Sequence, residues 1–210
     1  REGVMYDMLG RFASEDVRDR SVLALIKRYS GDKKQAKQVV KTSRSLFEQV
    51  KEKLGLSTED GDLLRRAASL HEIGLAIAHS GYHKHSAYLV EYSDIPGFSQ
   101  VDQKRMAQLM LNHRRKLKAD MLEQACIIGG DSLVYLCLLL RLAVLAHHSR
   151  SEHELPKLGL KVIDNNRWQI TVGESSEHYT FLLSDLHTEI EQFAKWGVKL
   201  DVVDGSVIEA

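Results

Sequence analysis

Apolar residues recur at helical spacing through the first two thirds of the chain. Val22, Leu25, Ile26 and Tyr29 fall at i, i+3, i+4 and i+7, and Ala36, Val39, Val40, Ser43, Phe47, Val50 and Leu54 form a longer stripe that Gly55 closes. Each pattern predicts an amphipathic helix with one face on a core. Ser57 or Thr58 is placed to cap the next helix, which runs through LLRRAASLHEIG. Ser99, with Asp102 three residues on, predicts another helix start after the turn Asp94-Ile95-Pro96-Gly97. The run from Ser132 to Ala146 is almost wholly apolar and predicts a buried core helix. It is shorter than the roughly 18 to 20 residues of a membrane span and carries Arg141, so no membrane span is expected.

After Pro156 the period changes to two. Leu158, Leu160 and Val162 alternate with other residues, the polar turn Asp164-Asn165-Asn166 follows, and Trp168, Ile170 and Val172 alternate again, which predicts a β-hairpin. Ser184 and Asp185 predict the start of a helix reaching about Trp196, and Val198, Leu200 and Val202 predict a further strand. The expected fold class is mostly α. A helical domain over residues 1–152 precedes a small α+β domain over 153–210, with about three antiparallel strands and one helix, and SRSEHELPK at 149–157 is the linker. No internal repeat or low-complexity segment interrupts this order.

Composition adds that 210 residues, 43% of them hydrophobic and only two of them proline, can bury a real core, so the chain is globular rather than disordered. A formal net charge of zero conceals an asymmetry: residues 174–210 hold eight acidic residues against Lys195 and Lys199, net −6, leaving +6 on residues 1–173. A basic body of this kind can face an anion. Cys126 and Cys137 lack metal-type spacing and lie in or near the apolar run, so both are expected to be buried thiols of a cytoplasmic protein. The opening Arg1-Glu2-Gly3-Val4 shows neither an initiator methionine nor an apolar leader, and reads as part of a longer protein.

Candidate chemistry concentrates in HEIGLAIAHSGYHKHS, residues 71–86, which holds four of the ten histidines. His71 lies four residues after Ala67 on an apolar face, where a core histidine is commoner than a ligand. His113 continues the face of Met106, Leu109 and Met110 and is expected to be half-buried. His83, Lys84 and His85, with Arg114, Arg115, Lys116 and Lys118, look too polar for a core. They fit either phosphate oxyanions, which arginine forks and lysine point charges match well, or a solvated charge run. If His83 and His85 face phosphate, binding should tighten as pH falls from about 8 to about 6. Lys33, Lys34, Lys37, Lys41 and Arg44 form a second stripe, read as a solvated face. No G-x-x-x-x-G-K phosphate cradle occurs, and the basic clusters lack interleaved aromatics, so nucleic acid is not an expected partner.

REGVMYDMLGRF, LHEIGLAIAHSGYHKHSAYLV, SDIPGF, NHRRK and LLRLAVL, in this order, resemble the C-terminal half of proteins of the exopolyphosphatase and guanosine pentaphosphate phosphohydrolase family. HSGYHKHSAYL is similar to the exopolyphosphatase branch. The resemblance implies a hydrolase parent whose catalysis, with a divalent cation such as magnesium, lies in N-terminal actin-like domains of the same protein. No catalytic residue and no cofactor are then expected in this segment. It also implies a helical third domain related to the HD phosphohydrolase fold and a small α/β fourth domain, which help form a homodimer and a channel for polyphosphate.

By the HD register the early histidine falls at Gln35, the His-Asp pair reads His71-Glu72, and the late aspartate falls at Val144, so two of four ligand positions are lost. His71, Glu72 and His113 remain as weak metal candidates. Two alternatives stand beside this reading: an autonomous metal-dependent HD-type phosphohydrolase, and a plain dimerisation or partner-binding module using the Ser132–Ala146 helix as its apolar surface.

Overall fold

The computed structural model describes residues 17–148, 157–173 and 179–204, which form seven α-helices, a short 3-10 turn and three strands. Helix α1 covers residues 17–28, followed by α2 (Lys33–Val50), α3 (Thr58–Leu70), the 3-10 turn Ile73–Ala76, α4 (Tyr82–Tyr92), α5 (Gln100–Asn112) and α6 (Ala119–Ala146). Strands β1 (Leu158–Asp164) and β2 (Arg167–Val172), helix α7 (Tyr179–Lys195) and strand β3 (Lys199–Asp204) complete the chain. The REGVMYDMLGRF motif, nearly all of the linker and the boundary at 152/153 lie outside the described residues.

Local sequence accounts for the helix starts. Ser57 and Asp60 form a reciprocal capping box on α3, and Ser99 and Asp102 form another on α5. Each satisfies two backbone N–H groups that the first turn leaves without partners. Gly55, at φ +63°, ends the turn after α2. The stripe on α2 is centred slightly differently from its sequence pattern: Gln35 and Leu46 are buried, whereas Ala36 and Val40 are only half-covered.

Helix α6 is longer than the apolar run. It starts at Ala119 and bends at Gly130 (φ 64°, ψ −164°), beyond which Leu133, Leu136, Leu138, Leu139 and Leu140 are fully buried. By length and composition it could cross a membrane, but 67% of its apolar window is covered by the rest of the fold, as befits a core helix. That burial removes the Ser132–Ala146 face as a free apolar surface. Cys137 is buried, but Cys126 is exposed, because it precedes the bend on the half of α6 that projects from the core.

The sheet has the order β1-β2-β3. β1 and β2 are the expected antiparallel hairpin, pairing Leu160 with Ile170 and Val162 with Trp168. Asp164 accepts from the Asn166 N–H at 2.9 Å and shapes the turn. β3, in contrast, lies parallel to β2, with Trp168 opposite Leu200. An intervening helix returns the chain to the end at which β2 began, so β2-α7-β3 is a crossover unit rather than a second hairpin. Helix α7 also starts about five residues earlier than Ser184 and Asp185 suggest. Leu182, Leu186, Glu189 and Phe193 form one continuous buried face, and this packing carries the helix past the polar pair.

The α+β part docks on the helices through polar contacts as well as packing. The Gln49 side chain on α2 donates to the Leu158 carbonyl (3.2 Å) and accepts from the Leu160 N–H (2.7 Å), covering the edge of β1. Arg141 on α6 and Glu189 on α7 form a buried ion pair. Gln192 accepts from the Leu117 N–H at 2.9 Å, and the Trp196 indole donates to the Lys118 carbonyl at 3.1 Å.

Candidate phosphate-binding site

The stretch 71–86 wraps tightly on itself. Ser86 donates to the His71 carbonyl (2.9 Å) and accepts from the Gly74 N–H (2.8 Å). Gly74 is required there: a Cβ would lie 2.2 Å from the Tyr82 carbonyl oxygen and 2.4 Å from the Ser86 nitrogen. This contact seats α4 against the 3-10 turn and turns Tyr82, His83, Ser86, Ala87 and Val90 inward.

Beneath α4 lies a nest of imidazoles. His71 is buried, and its ring is 5.5 Å from that of His113, while the His83 ring is 6.3 Å from His113. The His71 ring N–H at Nδ1 donates to the Ala68 carbonyl at 2.7 Å, and that of His113 donates to the Met110 carbonyl at 2.6 Å. A carbonyl can only accept, so both tautomers are fixed. His113 is 1% exposed rather than half-buried, because α4 and α5 close over it. Its pKa is pushed well below the usual imidazole range, first by burial and then by His71, His83 and Arg114.

The HD-pattern positions meet in the same region. The Gln35 amide donates to the His147 carbonyl at 3.0 Å, Val144 is buried, and Glu72 Oε1 lies 4.0 Å from His71 Nε2. His147, which the pattern did not single out, pairs its Nε2 with the Thr42 hydroxyl at 2.8 Å and is held down to about 4 by burial and by His71. Its position three residues after Val144, at the end of the apolar helix, was the available signal. Among the described residues, no group of three or more His, Cys, Asp and Glu side chains converges to hold a metal ion.

Above the nest, the two polar clusters come together from opposite ends of α4 and α5. The Arg114 guanidinium carbon sits 4.3 Å above the Tyr82 ring, a cation–π contact that sequence reading did not foresee. Lys84, Arg115, Lys116 and Lys118 are exposed, and His85 and Arg114 are half-exposed. His83 departs from expectation. It is 6% exposed, part of the inward stripe of α4, and burial, with Arg114, Lys84, Arg115 and His85 beside it, lowers its pKa to about 4. It is therefore neutral in the free chain across the pH range in which it is expected to gain charge.

Charge pairing separates this rim from the cavity between α2 and α3, but not from the exposed Lys33, Lys37, Lys41 and Arg44 stripe of α2. Among the described residues no ion pair joins Lys84, Arg114, Arg115 or Lys116 to a carboxylate. A cavity of about 390 Å³ between α2 and α3 also carries cations, but there Lys51 pairs with Glu48 at 2.7 Å and Arg65 with Asp62 at 3.4 Å. Lys33, Lys37, Lys41 and Arg44 are exposed along α2, as a solvated face requires.

The fold is a mostly helical domain followed by a small α+β part with a β-α-β crossover. The chain belongs to the Ppx/GppA phosphatases: the family model described as Ppx/GppA phosphatase, domain III, matches residues 17–190. It is 35% identical over 96% of its length to a protein of Pseudoalteromonas translucida named guanosine-5'-triphosphate,3'-diphosphate pyrophosphatase, and 34% identical over 94% to the protein of that name from Aeromonas hydrophila. The namesake from Aeromonas salmonicida is 33% identical over 94% of the chain. The chain spans about two fifths of the length of these curated relatives, 40 to 41%.

Proposed function

We propose that this chain is the C-terminal, phosphate-holding segment of a cytoplasmic exopolyphosphatase whose catalytic domains, with their divalent cation, lie outside it. The parent removes terminal orthophosphate from polyphosphate; this segment binds the polyphosphate chain along the Lys84–His85 and Arg114–Arg115–Lys116 rim, pairs as a homodimer, and performs no chemistry itself. The observation that carries the reading is the convergence, on one surface, of cations some thirty residues apart in sequence that no carboxylate among the described residues neutralises. A polyanion with one charge per unit is matched by such a loose cluster, without base-reading groups. A second reading, in which the parent acts on guanosine 5'-triphosphate 3'-diphosphate, is favoured by the names of the three relatives. Both readings place phosphoanhydride oxygens at the rim.

Titration of labelled inorganic polyphosphate against the purified chain tests the reading. Affinity should fall steeply with salt, and Arg114→Ala with Arg115→Ala should weaken binding about tenfold or more. His83→Ala should leave the dependence on pH between about 6 and 8 unchanged, since His83 stays neutral there. Full affinity in the double arginine variant would remove the rim as the binding surface. Phosphate released from polyphosphate or nucleoside triphosphate by the chain alone would favour the autonomous hydrolase instead, and sedimentation that stays monomeric would remove the dimer.

A further inference from the structure

The basic turn after α5 does not hold its own shape. Arg115 has φ +68°, a left-handed conformation that a non-glycine residue adopts only where its surroundings impose it. Four backbone groups in this turn are held by side chains from elsewhere. Arg141 donates from Nη1 to the Asn112 carbonyl (3.2 Å) and from Nη2 to the Arg115 carbonyl (2.5 Å). Gln192 accepts from the Leu117 N–H, and the Trp196 indole donates to the Lys118 carbonyl. Glu189 fixes the Arg141 guanidinium by accepting from its Nε and, at 2.9 Å, from Nη2. Glu189, Gln192 and Trp196 are spaced i, i+3 and i+7, so they lie on one face of α7 and its C-terminal extension, and all are buried.

We infer that α7, an element of the α+β part, is a positioning clamp for the phosphate-binding turn: Glu189 (through Arg141), Gln192 and Trp196 fix the backbone from Asn112 to Lys118 so that Arg114, Arg115, Lys116 and Lys118 present their charges together. None of the clamp side chains touches the ligand. The inference rests on the rim reading above. Cations held in register meet several phosphates at once, whereas the same cations on a loose turn must be ordered by the ligand, which lowers affinity. The α+β part thus sets the affinity of a site built entirely from helical-domain residues.

The test uses the 210-residue chain with Gln192→Ala and with Trp196→Phe, the second keeping an aromatic ring in the core while removing the indole N–H donor. Labelled long-chain polyphosphate is titrated at several salt concentrations, and amide hydrogen exchange is followed at residues 112–118. Loss of one such hydrogen bond corresponds to roughly a threefold to tenfold change. Each variant should therefore bind about threefold to tenfold more weakly, with a shallower dependence of affinity on salt, and with faster exchange confined to the turn. A purely structural role would lower stability and leave the salt dependence as it is. Affinity and salt dependence equal to wild type in both variants, while Arg114→Ala with Arg115→Ala still weakens binding about tenfold or more, would overturn the clamp and leave the rim standing. If the double arginine variant binds normally, the rim reading fails and takes the clamp with it.

Discussion

His83 sits between Tyr82 and Lys84 at the start of a helix whose inward stripe continues through Ser86, Ala87 and Val90, so periodicity buries a residue that its neighbours make look polar. That stripe, at i+3, i+4 and i+7 from His83, was readable in the sequence, but the charged run HKH masks it. Burial has an energetic consequence shared by three histidines. His83 and His147 are lowered to about 4 and burial also holds His113 well below its usual range, whereas an unfolded chain titrates them near 6.5. Below about pH 6.5 the unfolded state therefore binds more protons than the folded one, so stability falls as pH drops from about 6.5 toward 4. These groups should contribute an uptake approaching about three protons on unfolding near pH 5. Urea unfolding at pH 7.5 and pH 5 checks this, and equal unfolding free energies at the two pH values would contradict it.

At the scale of elements, Gly74 fixes how the site is assembled and Gly130 where α6 bends. Gly74 lets the 3-10 turn lie directly on α4, and the Cβ of Gly74→Ala would meet backbone atoms, which cannot swing aside. That variant should lose about 3 kcal/mol or more, by overpacking. Gly130 has open space around a Cβ but a backbone conformation reserved largely for glycine, so Gly130→Ala should cost only about 1 to 3 kcal/mol, from strain alone. Thermal unfolding of both variants checks the order; a Gly74→Ala protein as stable as wild type would mean that α4 does not pack as described. Much at this scale was legible beforehand. The starts of α3 and α5, the hairpin and its turn, and the core helix followed from short-range chemistry, although the sequence reading left the α3 cap open between Ser57 and Thr58. The parallel β3 and the early start of α7 did not, because strand direction and the Leu182–Phe193 face depend on contacts across the sheet.

For the molecule as a whole, the rim depends on three regions that are distant in sequence: α4, the turn after α5, and the α7 face that fixes that turn. The individual cations Lys84, Arg114, Arg115 and Lys116 could be picked out from composition alone, yet their convergence could not. Nor could Tyr82 beneath Arg114 or the Arg141–Glu189 pair, since all of these are long-range contacts. The lysines of α2 offer a competing basic surface on the opposite side of the charge argument, equally visible in the sequence and equally exposed. Backbone amide chemical-shift mapping during titration with inorganic polyphosphate separates the two surfaces directly. The account predicts perturbations concentrated at residues 83–86 and 113–118, with smaller ones at 189–196 as the clamp responds. Perturbations concentrated at residues 33–44 instead, with the turn after α5 silent, would contradict it.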